Sequence, residues 1–143
     1  MYKNIFIDAN IFIDTNDSNR DAYEDSLAVI YYLVENGISI YTSCDLITTI
    51  YYILARKDKK SALTAIENIN TFTKIIAFSN VEVTKSCQLM REDKNYKDLE
   101  DTIQYCLAKK EECDLILSND KGFYSSDIEV LTAKVFSKIL EDK

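Results

Sequence analysis

Apolar positions in this chain fall into short strand-like runs that alternate with longer stretches of helical spacing. Residues 4–8 (Asn-Ile-Phe-Ile-Asp) are β-branched and aromatic up to a terminal acid, which predicts a central parallel strand with Asp8 at its carboxyl end. Ile11, Phe12 and Ile13 continue into a first helical turn, and Asp14 to Asp21 reads as a loop. Ala22, Leu27, Ile30, Tyr31 and Val34 then give a helical face closed by Asn36 and Gly37. Residues 38–41 predict a second strand. Thr42 to Asp45 offer caps for a helix over 46–57, apolar at Ile47, Ile50, Tyr51, Ile53 and Leu54, and a helix over 61–75 pairs with it as a hairpin.

The second half repeats the alternation. Residues 75–78 predict a brief strand, and Ser79 to Glu82 has the capping-box form ahead of a helix reaching Arg91. After a polar loop over 92–97, residues 98–111 predict a helix with Leu99, Ile103, Cys106 and Leu107 inward. A buried strand over 114–118, a loop over 119–123, a last strand over 129–131 and a helix over 133–140 capped by Thr132 complete the chain. This order predicts an α/β sandwich: a mostly parallel sheet of four or five short strands flanked by helices, one domain over residues 1–143.

Composition narrows the chemistry. At 143 residues and 47% apolar the chain is large enough for a core of its own. It has no 18-residue apolar run, and Met1-Tyr2-Lys3-Asn4-Ile5 has neither a charged leader nor a cleavage site, so no membrane span or secretory segment is expected. Cys44, Cys87, Cys106 and Cys113 lack CxxC spacing and read as reduced, mostly core cysteines of a cytoplasmic protein. There is no histidine, which removes Ser-His and Cys-His nucleophile systems and points away from zinc. With two glycines, Gly37 and Gly122, there is no glycine-rich phosphate loop. The net charge of −7 argues against strong nonspecific nucleic-acid binding, although acids gathered around a divalent cation invert their own local field. Arg56, Lys57, Lys59 and Lys60 cluster at one helix end, where the dipole favours cations; a phosphate-contacting patch is the competing reading.

Chemistry therefore falls to carboxylates. Asp98, Glu100 and Asp101 crowd the start of one helix, with Asp98 and Asp101 on a shared face and Glu100 turned away. A first helical turn favours acids in any protein, and an Asp at a strand end is ordinarily a cap. Yet Asp8 and Asp120 end strands at the sheet edge where α/β proteins bind ligands, and the helix carrying Asp98 and Asp101 feeds the second of them. Four such acids repel unless a cation intervenes, and a hard divalent ion with oxygen ligands answers that repulsion and activates water against phosphorus.

The stretches Ile5-Phe6-Ile7-Asp8-Ala9-Asn10, Asp98-Leu99-Glu100-Asp101-Thr102-Ile103-Gln104-Tyr105, Leu117-Ser118-Asn119-Asp120-Lys121-Gly122-Phe123 and Ser126 to Thr132 together resemble the PIN-domain nucleases, closest to the VapC-like toxin ribonucleases of type II toxin–antitoxin pairs. The resemblance implies a PIN-like three-layer sandwich and a magnesium- or manganese-dependent endoribonuclease. Its metal-site acids fall on Asp8, Asp101 and Asp120, with Asp98 an additional acid, Asn10 supporting the first acid and Ser118 beside the last. It also implies an RNA substrate, an antitoxin partner and a homodimer, with the apolar faces near Leu27 to Val34 and Tyr51 to Leu54 as docking surfaces or plain core. One position departs: Thr49 stands where the family usually has Glu, with Asp45 one turn earlier. That departure favours, as the alternative, a catalytically weakened PIN-like module that binds RNA or a protein partner. An aspartyl phosphatase built on Asp8 is disfavoured because Asn10 stands where its second acid belongs.

Overall fold

Ile5, Phe6 and Ile7 are fully buried at the centre of the molecule. In the computed structural model, which describes residues 1–142, they form β1 (Asn4–Ile7) of a five-stranded sheet with β2 (Ser39–Ser43), β3 (Lys74–Ile76), β4 (Leu115–Leu117) and β5 (Glu129–Leu131). The strand order is β3-β2-β1-β4-β5 and every neighbouring pair is parallel, with Phe6 opposite both Tyr41 and Ile116. A strand buried on both faces has no polar side to present, which is why β1 and β4 read as continuous apolar runs.

The helices are α1 (Ala9–Thr15), α2 (Tyr23–Glu35), α3 (Cys44–Leu54), α4 (Lys59–Phe72), α5 (Asn80–Glu92), α6 (Leu99–Lys110) and α7 (Ala133–Glu141). The chain steps outward from β1 through β2 to β3 and then returns to β4 and β5. Right-handed crossovers therefore place α1 to α4 on one face and α5 and α6 on the other, while α7 packs back on α2. The direction of winding reverses between β1 and β4. In open parallel sheets, the crevice at the carboxyl ends of the strands beside that reversal is where ligands bind.

Several boundaries and faces differ from the sequence expectation. The first helix begins at Ala9 and runs through Asp14, which is buried rather than part of a loop. On α2 the inward residues are Ser26, Val29, Ile30 and Leu33, and Tyr31 and Val34 are exposed. Ser26, itself buried, faces inward and accepts a hydrogen bond from Asn119, which a purely apolar periodicity does not register. α4 starts two residues early because Asp58 caps it, accepting from the amides of Lys60 and Ser61. Leu99 is exposed, since Asp98 is the cap and the inward face of α6 is set by Thr102, Ile103, Gln104, Tyr105, Leu107 and Ala108.

The cysteines are all unpaired, but Cys44 and Cys87 lie on outward helix faces; only Cys113 is fully buried and Cys106 half-buried. The cationic cluster divides: Arg56 and Lys57 follow the end of α3, with Lys57 Nζ 2.9 Å from Asp17 Oδ1 and the Arg56 guanidinium over the Tyr52 ring, whereas Lys59 and Lys60 open α4, so the C-terminal dipole accounts for the first pair and not the second. Among the described residues no helix is long and apolar enough to cross a membrane.

Candidate active site

Asp8 is the last extended residue after β1 and the cap of α1, a position that directs its carboxylate into the β1–β4 crevice. It is buried, at 5% exposure, and three donors hold it. Its Oδ1 accepts from the Ala9 amide at 2.7 Å; its Oδ2 accepts from Ser118 Oγ at 2.8 Å and from Asn10 Nδ2 at 3.1 Å. Asn10 also accepts from the Asn119 amide through Oδ1, and Ser118 Oγ accepts from the Asp120 amide, so the turn after β4 is tied to the start of α1. Asp120 sits in that turn, accepting from the Gly122 amide at 2.9 Å. Three of the sequence's site residues, Asp8, Asn10 and Ser118, thus form one hydrogen-bonded unit, and Asp120 hangs directly from it.

α6 brings the remaining acids from the other face of the sheet. Asp98 caps the helix, its Oδ1 accepting from the Asp101 amide at 2.9 Å, so it fixes the backbone that carries Asp101. Asp101 faces Asp8. Burial, and then the charges of Asp8, Asp98, Asp120 and Glu100, push its carboxyl from 3.8 up to about 7. Asp8 is also raised, by burial above all and by Asp120, against the lowering effect of its contacts with Ser118, Ala9 and Gln104.

Glu100 is exposed, as its place on the helix predicts, yet its carboxyl is raised by partial burial, then by Asp45, Asp8 and Asp98, so its charge bears on the same acids. Asp45, in the first turn of α3 and bonded to Ser43 Oγ, is the α3 acid that reaches this field. Thr49 is half-buried one turn further along α3 and brings no charge.

The donor set consists of hard carboxylate oxygens from β1, α6 and the turn after β4, all at one sheet end. Beyond the effect of burial, the other acids raise Asp101 further, and the negative charge gathered there is one that a divalent cation offsets, which fits magnesium or manganese in charge and donor type. Among the described residues no three acidic or cysteine side chains are already drawn into a group able to hold an ion. The acids are convergent, with the ligand shell still open.

Two residues of this region carried no legible sequence signal. Asn119 donates through Nδ2 to Asp14 Oδ2 at 2.6 Å and to Ser26 Oγ at 3.1 Å, and its Oδ1 accepts from the Ala133 amide, which joins β4's turn to α1, α2 and α7. In the sequence it is one polar residue in a turn. Gln104, one turn after Asp101, is the other: a polar residue at an inward helical position, which periodicity treats as an interruption.

A family profile described as PIN domain matches residues 4–122. Ribonuclease VapC1 of Aquifex aeolicus (strain VF5) is 52% identical over 132 residues, covering 92% of this chain and 92% of that protein. Among solved structures, VapBC2 from Rickettsia felis, bound to a DNA fragment from its promoter, superposes with a TM-score of 0.67 at 18% identity, covering 90% of this chain and 98% of that one. Mycobacterium tuberculosis VapC20, a sarcin-ricin loop cleaving toxin, superposes with a TM-score of 0.65 at 13% identity, covering 86% and 91%. At those identities the structural likeness bears on the fold alone.

Proposed function

This chain belongs to the PIN-domain family, and on that premise we propose that it is a metal-dependent endoribonuclease, the toxin of a type II toxin–antitoxin pair, acting as one domain over residues 1–143 in the cytoplasm. The observation that carries the reading is the convergence of Asp8, Asp101 and Asp120 at the β1–β4 crevice, with Asp101 raised to about 7 by burial and then by its acidic neighbours. The name of the 52%-identical relative, a ribonuclease, supports the substrate class.

Asp8, Asp101 and Asp120 would hold a magnesium or manganese ion, which when bound would supply Lewis-acid stabilisation of phosphate oxygens and a more acidic water. The chain's own residues do the rest. Ser118 and Asn10 hold the Asp8 carboxylate in one orientation, and Asp98 fixes the Asp101 backbone. The groove beside Asp120, about 540 Å³ and lined by Lys121, Lys134 and Thr132 among others, offers cations to the RNA backbone next to the acids. A local cationic wall of this kind serves an acidic protein that binds RNA at one place only.

The test is cleavage of a structured RNA by the purified protein with magnesium or manganese, compared with Asp8→Asn. Loss of cleavage in that variant supports the assignment; undiminished cleavage overturns it.

For partners, the solved VapBC2 complex supports an antitoxin. We place it, or a second copy of the chain, on the groove of about 330 Å³ between α2 and α4, lined by Phe12, Leu27, Ile30, Tyr31, Val34 and Phe72. A second reading, a PIN-like module with weakened catalysis that binds RNA or protein, is favoured by Thr49 in the position of the usual Glu. Tight RNA binding without turnover in any divalent ion separates it from the first.

A further inference from the structure

Gln104 is 99% enclosed, at 1% exposure, yet both polar atoms of its amide, Nε2 and Oε1, lack a hydrogen-bond partner. Burying an amide with neither atom satisfied is unfavourable, and an apolar side chain of the same length serves packing better. Its place in the fold explains its presence. Gln104 follows Asp101 by three positions on α6, so the two share the inward face, and its amide lies against the Asp8 carboxylate, near enough to influence it without completing a bond.

The donors that hold Asp8 all come from α1 and the β4 turn, namely Ala9, Asn10 and Ser118. Gln104 is the neutral donor that approaches from α6, the element that also carries Asp101.

We propose that Gln104 is a positioning residue of the acidic site: its Nε2 closes on the Asp8 carboxylate from the α6 side when a divalent cation draws Asp8 and Asp101 together, fixing the separation of the two acids. The inference rests on the metal-dependent reading above and assigns it a supporting group from outside the carboxylate set. A neutral donor suits this place, because a lysine there would compete with the cation and another acid would add to the repulsion.

The chain's two glutamines, Gln88 and Gln104, make the test direct. Gln88 sits on an exposed helix face bonded to Glu92, so glutamine-selective ¹⁵N labelling yields one solvent-facing side-chain amide and one enclosed one. Titrating wild type with magnesium is expected to shift the Gln104 side-chain amide signals and slow their exchange with solvent while leaving Gln88 unchanged, and Asp8→Asn is expected to remove the response. Gln104→Met, which keeps the length and deletes the amide, is expected to melt at or above the wild-type temperature, to bind manganese about 10-fold more weakly by calorimetry, and to lose kcat with KM for RNA unchanged.

A purely structural glutamine predicts the opposite pattern, in which melting temperature and manganese affinity fall together. An unresponsive Gln104 amide in a wild type that binds magnesium overturns the positioning role while leaving the nuclease reading intact. A wild type that binds neither cation and cleaves no RNA overturns both.

Discussion

Ser118 Oγ donates a 2.8 Å hydrogen bond to Asp8 Oδ2, joining the carboxyl ends of β4 and β1 through residues 110 positions apart. The bond is buried and charge-assisted, so it orients a catalytic candidate and fastens the switch point of the sheet at once. Replacing Ser118 with Ala leaves Asp8 Oδ2 with Asn10 as its sole side-chain donor. We expect a loss of about 1.5–3 kcal/mol in chemical denaturation and an RNA-cleavage rate reduced roughly 10-fold. Full stability in Ser118→Ala would show that the bond is not formed in solution.

The Asp101 shift has a definite sign in pH. Its carboxyl titrates near 3.8 in the unfolded chain and near 7 in the folded one, so between these values the unfolded state releases its proton first. Folding stability without metal is therefore expected to be fullest below pH 4 from this group and to decline as pH rises through about 7. Asp8 and Glu100, also raised, act in the same direction. Asp17, Asp58 and Asp127 are lowered, chiefly by hydrogen bonds from Lys57, Ser61 and Lys109 respectively, and their contribution is lost only as pH falls below the ordinary Asp range. Melting curves in chelator should show the decline in wild type, a flatter profile in Asp101→Asn, and recovery of the wild type at pH 8 on adding manganese.

Asn119 joins more elements than its place in a turn suggests, bonding to α1, α2 and α7. Asn119→Ala removes both donors to Asp14 and Ser26 and the acceptor for Ala133, and leaves Asp14 with only Arg20, at 3.4 Å. An unfolding loss of about 2–4 kcal/mol is expected, larger than for Ser118→Ala because a buried carboxylate is left poorly paired. A loss below 1 kcal/mol would mean that water replaces the amide.

Two helices end in the same left-handed turn with different residues. Gly37 has φ +64° after α2 and Glu112 has φ 55° after α6; in both the following amide reaches back five residues, Ile38 to Leu33 and Cys113 to Ala108. Glycine adopts this backbone freely and glutamate does not. Glu112→Gly is therefore expected to stabilise by roughly 0.5–1 kcal/mol and Gly37→Ala to destabilise by about 1 kcal/mol. Equal melting temperatures for Glu112→Gly and wild type would contradict the backbone assignment at that turn.

Glu100 tests the substitution at Thr49. If Glu100 and Asp45 supply the negative charge that Thr49 lacks, Glu100→Gln should bind manganese about 3- to 10-fold more weakly and, without metal, melt slightly higher at pH 8 because a like charge is gone. Unchanged affinity would place Glu100 outside the site.

The sequence alone determined the element order, the parallel sheet and four candidate strand-end or helix-start acids. These follow from apolar periodicity and from the rule that ligands gather at strand carboxyl ends, both of which are local. Asp8 was legible because it closes an uninterrupted apolar run, and Ser118 through the family resemblance. Periodicity could not place Ser26 inward on α2, distinguish Asn119 from an ordinary turn residue, or give Gln104 a purpose, because each is a polar residue whose burial is set by a partner distant in the chain. It turned Glu100 outward from helical geometry, and the side chain is exposed, but only the tertiary structure sets its charge near those of Asp45 and Asp8, contributed by α3 and the end of β1. Burial of like charges from separate elements is a property of the packed sheet, so the raised carboxyl of Asp101 was decided only when β1, β4 and α6 came together.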